Sequence, residues 1–228
     1  ELAKLGNARA QVLRICRAEL DRSAHPAEAI GQHGQNSLEQ MTRASQKHWA
    51  CKSGCGMCCY EPVTITEPEA IYIAQVLRDN MTDQQVTDAI GELRKHVDIT
   101  GEIPDRHRWL RLRVRCPFLT EGNACAIYDA RPMNCRAHNS LKVSDCELSV
   151  ENPDYSVRTD VGAHHAYGAI TCGMQDAIFE RGLKLRPMEF GSALLCALET
   201  PDAGARWQAG EDVFGNCAPA VPTWKPAT

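Results

Sequence analysis

No apolar run in this 228-residue chain approaches the length of about 18 residues that marks a membrane helix. The stretch from Glu1 to Ile30 is amphipathic rather than uniformly apolar, so neither a membrane span nor an intact signal peptide is expected. An excess of positive charge is also missing: 25 Lys and Arg face 29 Asp and Glu, giving a net charge of −4 and a pI near 6.1. That balance offers no general attraction to nucleic acid or to an anionic membrane surface. Gly-rich nucleotide loops, a G-x-S-x-G elbow and an H-E-x-x-H pair are all absent, and no pair of Asp or Glu residues stands out. No repeat with a period of 20–50 residues is present. These absences name no substrate and no reaction, and they point to a chain in the reducing cytoplasm.

Cysteine is what the sequence has in quantity. There are 12, and half of them fall in two short stretches, 51–59 and 116–125. A chain of this length removes roughly 70% of its unfolded surface from water on folding and so has no general need of covalent staples. Clustering at short gaps is what a metal site requires, because several sulfurs must come within a few ångströms of one ion. Disulfide partners carry no such requirement.

Helical periodicity dominates elsewhere. Leu5, Ala8, Val12, Ile15 and Leu20 mark a surface helix over 2–24, and His25 to Ser37, with one proline and two glycines, is expected to be a linker before a weaker helical pattern over 38–48. Thr66 followed by Glu69, and Thr82 followed by Gln85, are capping-box signatures for two consecutive helices joined at Asn80 and Met81. Further helices are expected over 164–181, led by Asp160, and over 187–199. Only 62–65 and 109–114 have strand character. The expected fold is therefore mostly α, with irregular metal-binding loops and at most a small β-hairpin. It is divided into an N-terminal helical extension (1–48), a cysteine-cluster core (49–146) and a C-terminal helical region packing on that core (147–228).

Cys51, Cys55, Cys58 and Cys59 place four sulfurs within nine residues. On a helix they would occupy one face about 100° wide. Gly54 and Gly56 argue instead for a loop that wraps an ion and turns backbone N–H groups toward thiolates. Cys116, Cys125 and Cys135 follow in a segment that Pro117, Pro132 and the turn at Gly122-Asn123 make rigid and irregular. Arg131 and Arg136 stand close enough in sequence to balance part of the thiolate charge. Metal binding by these seven cysteines is the favoured reading, with buried thiols or disulfides as the alternative. Tetrahedral sulfur ligation suits zinc and iron–sulfur clusters alike.

At these residues the chain resembles the bacterial CxxxCxxCC proteins described as zinc- or iron-chelating, often called YkgJ-like cysteine-cluster proteins. The likeness runs over 49–136: Trp49-Ala50-Cys51 through Cys58-Cys59, Val63-Thr64-Ile65-Thr66, Glu69-Ala70, Cys116-Pro117-Phe118-Leu119, Cys125-Ala126-Ile127-Tyr128 and Arg131-Pro132-Met133-Asn134-Cys135-Arg136. The resemblance implies a metal. Flagellin lysine methylase looks like a member and is linked with a [4Fe–4S] cluster, which tilts the expectation toward iron–sulfur. Seven sulfurs also exceed the four that one closed zinc site uses, although two metals would absorb them. Such a centre would serve redox, assembly or modification; the rival is a zinc-stabilised structural or interaction module. Cys51-x3-Cys55-x2-Cys58 also matches radical S-adenosylmethionine enzymes, but the chain lacks the length and strand–helix alternation of their barrel, so an enzyme of that kind or a methyltransferase relative is less favoured.

His48, His138 and Cys146 lie near enough in sequence to reach such a site, and His164 and His165 open a later helix. Cys16, Cys172 and Cys196 are isolated thiols in helical settings, read as core residues. Cys217 is left without a role. Five arginines between 106 and 115 read as a solvated face, since no aromatic interleaving or Gly-rich cradle accompanies them. A gel-shift assay at low and moderate salt is therefore expected to show no retarded complex with DNA or RNA; one that weakens steeply with salt would contradict this reading.

Overall fold

A computed structural model of the chain describes residues 2–52, 54–103, 105–152 and 154–221. The last seven residues of the expected C-terminal region lie outside them. Ten α-helices and one two-stranded sheet are present among the described residues. In chain order they are α1 (Leu2–Arg22), α2 (Pro26–Thr42), β1 (Thr64–Ile65), α3 (Glu67–Asn80), α4 (Asp83–Thr100), α5 (Arg106–Arg111), α6 (Met133–Ala137), α7 (Val143–Glu151), α8 (Val161–Glu180), β2 (Met188–Glu189), α9 (Phe190–Glu199) and α10 (Ala203–Gln208). The mostly helical class with a small hairpin-like sheet is thus the observed one. No helix among the described residues is long and apolar enough to cross a membrane.

Local chemistry starts and stops these helices as the sequence indicates. Both capping boxes form, Thr66 with Glu69 at α3 and Thr82 with Gln85 at α4, and Asp160 caps α8 by accepting from Gly162 N at 2.9 Å. Glu189 caps α9, accepting from Gly191 N and Ser192 N at 2.9 and 2.7 Å.

The main apolar core is one continuous cluster. It draws Val12 and Cys16 from α1, Ile30 and Leu38 from α2, Ile71, Ile73 and Leu77 from α3, Ile170, Met174 and Ile178 from α8, and Leu194 and Leu198 from α9. Helix α2 sits centrally, against α1, α3 and α8, while α9 packs on α3 and α4. In the sheet, β1 and β2 run antiparallel with Thr64 opposite Glu189 and Ile65 opposite Met188. The C-terminal segment joins the other edge of β2, through an antiparallel bridge between Met188 and Pro219.

Two expectations fail for packing reasons. The supposed linker over 25–37 is most of α2, because its glycines serve close helix contact rather than flexibility. A Cβ at Gly31 would stand 2.4 Å from the Pro68 carbonyl oxygen and 2.7 Å from Tyr72 Cβ. The supposed strand over 109–114 is the helix α5 and its exit turn. Asp105 accepts from Arg108 N at 3.0 Å as its N-cap, Trp109 is buried with Ile103 and Val114 in a satellite cluster, and Arg113 takes a left-handed φ of 50°. The alternation of Leu and Arg there yields to the cap and to burial of one indole.

Gly31 offers a direct test of this packing. Gly31→Ala is expected to cost about 1–3 kcal/mol through overpacking. Gly6→Ala, in α1 with nothing within 4 Å of the added carbon, is expected to gain up to about 1 kcal/mol from helix propensity. Urea unfolding of the two variants checks the contrast.

Candidate metal centre

The first cysteine loop is built from tight turns rather than a regular helix. Gly54 takes φ +81°, Cys55 N donates to the Lys52 carbonyl at 3.0 Å, and a 3₁₀ turn over Met57–Tyr60 follows. The second loop docks on it. Cys116 N donates to the Cys59 carbonyl at 2.8 Å, and a Cβ at Gly56 would meet Leu119 Cδ1 at 2.8 Å. Leu119 and Cys125 form an antiparallel bridge closed by the turn at Asn123, so Cys116 and Cys125 lie at the two arms of one small loop.

Three of the five arginines after Pro104 hold these loops, which corrects the reading of a merely solvated face. Arg106 makes a bidentate pair with Glu61, Nε–Oε2 at 2.7 Å and Nη2–Oε1 at 2.5 Å. The Arg113 guanidinium lies 5.3 Å from the Tyr60 ring centroid, and Arg115 Nη2 donates to the Leu119 carbonyl at 2.6 Å. Arg108 and Arg111 remain beside Asp105 and His107 around a shallow surface hollow.

The third wall is α6, which carries Cys135. Its first residue, Met133, donates its N–H at 2.8 Å to Glu69, whose fully buried carboxylate also takes Thr66 N and Oγ1 at 3.2 and 3.0 Å. Arg136 is held by the carbonyls of Asp129 and Arg131 and by Gln35. A fourth wall comes from α7, anchored by Asp145. That carboxylate is buried and takes Arg158 Nε and Nη2 at 2.7 and 2.8 Å and Tyr155 Oη at 3.2 Å. The Arg158 guanidinium, followed by burial acting the other way, sets its pKa, held down at about 2.

These walls enclose a cavity of about 720 Å³. All seven cysteines singled out in the sequence line it: Cys51, Cys55, Cys58, Cys59, Cys116, Cys125 and Cys135. So do Cys146 on α7 and His138 just beyond α6, which sequence proximity alone had left secondary. Trp49, Val63, Phe190 and Arg131 complete its surface together with polar residues of α2. The remaining candidates do not reach it. His48, His164, His165 and Cys172 are exposed, so Cys172 is not the core residue its helical setting suggested, whereas Cys16 is fully buried in the core. Cys196 and Cys217 lie elsewhere, packed against the core.

The donors suit soft cations. Burial pushes the Cys116 thiol up to about 12 and raises Cys135 well above the ordinary range, with Cys51, Cys125 and Cys146 moved the same way. Cys58 is raised first by its hydrogen bond with Cys59 and then by burial. Opposing this, backbone N–H groups point at sulfur: Phe118 at Cys116, Ile127 at Cys125, and Ser140 at Cys51, the last at 3.3 Å. Arg131 lowers Cys51, Cys58, Cys125 and Cys135 together. Crowded thiols that are costly to ionise alone, yet supplied with N–H donors and a nearby cation, fit a group that brings its own positive charge. Among the described residues, no three His, Cys, Asp or Glu side chains stand close enough to close on a single ion as they are; the sulfurs ring the cavity rather than meet at a point.

Comparison with known proteins gives one match. The family model described as "CxxCxxCC: Putative zinc- or iron-chelating domain" matches residues 50–159. No curated protein and no solved structure matches.

Asp145 carries a pH-dependent prediction. A carboxylate held at about 2 in the fold and near the ordinary value of about 3.9 when unfolded stabilises the fold above pH 4, and that contribution is lost as pH falls from there through about 2. Asp145→Asn is expected to lower the melting temperature at pH 7, with the difference from the unsubstituted protein closing across that window. An equal difference at pH 7 and pH 2.5 would show that the carboxylate charge is not what anchors α7.

Proposed function

We propose, from the match of residues 50–159 to a model of zinc- or iron-chelating domains, that the chain holds an iron–sulfur cluster in the cysteine-lined cavity. The observation that supports this reading is the number of sulfurs against the space they surround. Eight cysteines border about 720 Å³, whereas one closed zinc site uses four ligands around a single ion. A polynuclear cluster uses both the surplus sulfur and the room.

Cys51, Cys55, Cys58, Cys59, Cys116, Cys125 and Cys135 are the proposed ligand set, with Cys146 facing the same space. An iron–sulfur group supplies one-electron chemistry when bound. The chain's own part is to orient the thiols on two clamped loops and on α6, to donate N–H groups to their sulfurs, and to place Arg131 where it offsets their charge. Redox, assembly or modification chemistry in the cytoplasm is the role this supports, with residues 49–146 as the working unit and the helical flanks as its support. Zinc is the second reading, since sulfur ligands suit it as well, and would make the domain a structural or interaction module.

Purification without air or chelator separates these. Brown protein with iron and acid-labile sulfide is expected; colourless protein with stoichiometric zinc would select the second reading, and metal content near zero would overturn both.

Substitution tests the ligand set. Serine at Cys55, Cys58, Cys125 or Cys135 is expected to lose metal or give insoluble protein, because a serine oxygen is harder and stays protonated near neutral pH. Serine at Cys16, Cys172 or Cys196 is expected to leave metal content intact, at a cost of roughly 1 kcal/mol for Cys16 and Cys196 and little for exposed Cys172. Metal loss confined to the second group would move the site to the C-terminal helices.

A further inference from the structure

Two cysteines stand apart from the cavity and face one another. Cys196 lies on α9, and Cys217 on the C-terminal segment that runs along the free edge of β2. The backbone around Cys217 is fixed on several sides. Ala218 N donates to Ser192 Oγ at 2.8 Å, Glu189 N to the Ala218 carbonyl at 3.0 Å, Ala220 N to the Pro187 carbonyl at 3.2 Å and Cys217 N to the Phe214 carbonyl at 3.1 Å. These bonds set Cys217 Sγ 3.7 Å from the Ser192 carbonyl, one helical turn before Cys196. The Cys196 side chain, one turn on, leans back along α9 toward that carbonyl, so the two thiols are neighbours that influence each other's ionisation, and both are half-buried. Cys16 makes the contrast: an equally helical thiol, it is sealed in the core.

We propose that Cys196 and Cys217 form a reversible disulfide by exchange with a low-molecular-weight disulfide. Cys217 Sγ donates to the Ser192 carbonyl, which holds its proton, so Cys196 makes the first attack. Cys196 thiolate attacks one sulfur of the small disulfide, forming a mixed disulfide and releasing one small thiolate, which takes up a proton. Cys217 then loses its proton and attacks Cys196 Sγ, forming the intramolecular bond and releasing the second small thiol. The small disulfide is reduced by two electrons as the protein dithiol is oxidised by two.

Closing the disulfide requires rotation about the two Cα–Cβ bonds to bring the sulfurs to about 2 Å. The product fastens the segment 217–221 to α9. β2 pairs with that segment on one edge and with β1 on the other, and Val63, next to β1, accepts from Phe190 N at 2.9 Å and lines the cavity wall. The dithiol is thus a covalent clip on the outer edge of the sheet whose inner edge borders the cysteine cavity.

The test uses the full chain with its metal retained, kept without air, and oxidised glutathione as the probe. After incubation, free thiols are blocked with N-ethylmaleimide and the digest is mapped by mass spectrometry. The expected product is a linked Cys196–Cys217 peptide pair lighter by two hydrogens than its reduced parts, with exposed Cys172 carrying a glutathione adduct and metal content unchanged. Cys217→Ser is expected to stop at a glutathione adduct on Cys196. If Cys196 and Cys217 both remain blocked by maleimide under conditions that fully modify Cys172, or if the unsubstituted protein stops at the mixed disulfide, the proposal fails.

Discussion

Glu69 is fully buried, and its carboxylate takes three hydrogen bonds from two parts of the chain far apart in sequence. Two come from Thr66 and close the capping box of α3. The third comes from Met133, the first residue of the helix that carries Cys135 and Arg136. Burial pushes the carboxyl's pKa up while these donors pull it down. A group so placed is costly to leave unsatisfied, so the helical scaffold and the cysteine wall are held to one another through it. Glu67, two residues earlier, makes a parallel tie: its buried carboxylate takes Arg186 N and Nε at 2.7 and 2.9 Å, fixing the approach to β2. The first turn of α3 therefore fastens both the site and the sheet.

Around that anchor, the cysteine loops are held by arginines rather than by regular secondary structure. The pairs Arg106–Glu61, Arg113–Tyr60 and Arg115–Leu119 each tie α5 or its exit turn to a cysteine loop. Guanidinium groups suit this task because one planar fork can satisfy a carboxylate, a ring face or a carbonyl without a water-filled gap. The arrangement orients thiols while leaving a cavity, in contrast with a core, which would have closed on itself. Eight sulfurs border that space, and the raised pKa values of Cys51, Cys58, Cys116, Cys125, Cys135 and Cys146 express how poorly those thiols would ionise without a cation among them.

The match to a chelating family and the geometry carry different parts of the conclusion. The family description gives metal binding to residues 50–159. The cavity shows which cysteines share one environment, and in doing so brings Cys146 and His138 level with the seven residues of the two dense segments. The dithiol at Cys196 and Cys217 shows that the chain's other thiols are not uniformly inert packing.

The amino-acid sequence by itself determined the helical class, both capping boxes, the start of α8 at Asp160 and the grouping of Cys51, Cys55, Cys58 and Cys59, because each rests on interactions within a few residues: a side chain reaching its own helix's N–H groups, or sulfurs only one to four positions apart. Tertiary structure alone decided the rest. Gly31 and Gly34 look like linker residues until α3 and Met133 are seen pressing against them. The arginines near 110 look solvated until Glu61, Tyr60 and Leu119 come within reach, Cys146 looks isolated until Asp145 and Arg158 swing α7 over the cavity, and Cys196 and Cys217 are 21 positions apart until the C-terminal segment lies along β2. In each case the deciding contact joins residues distant in sequence, and local periodicity carries no information about which surface a turn will meet.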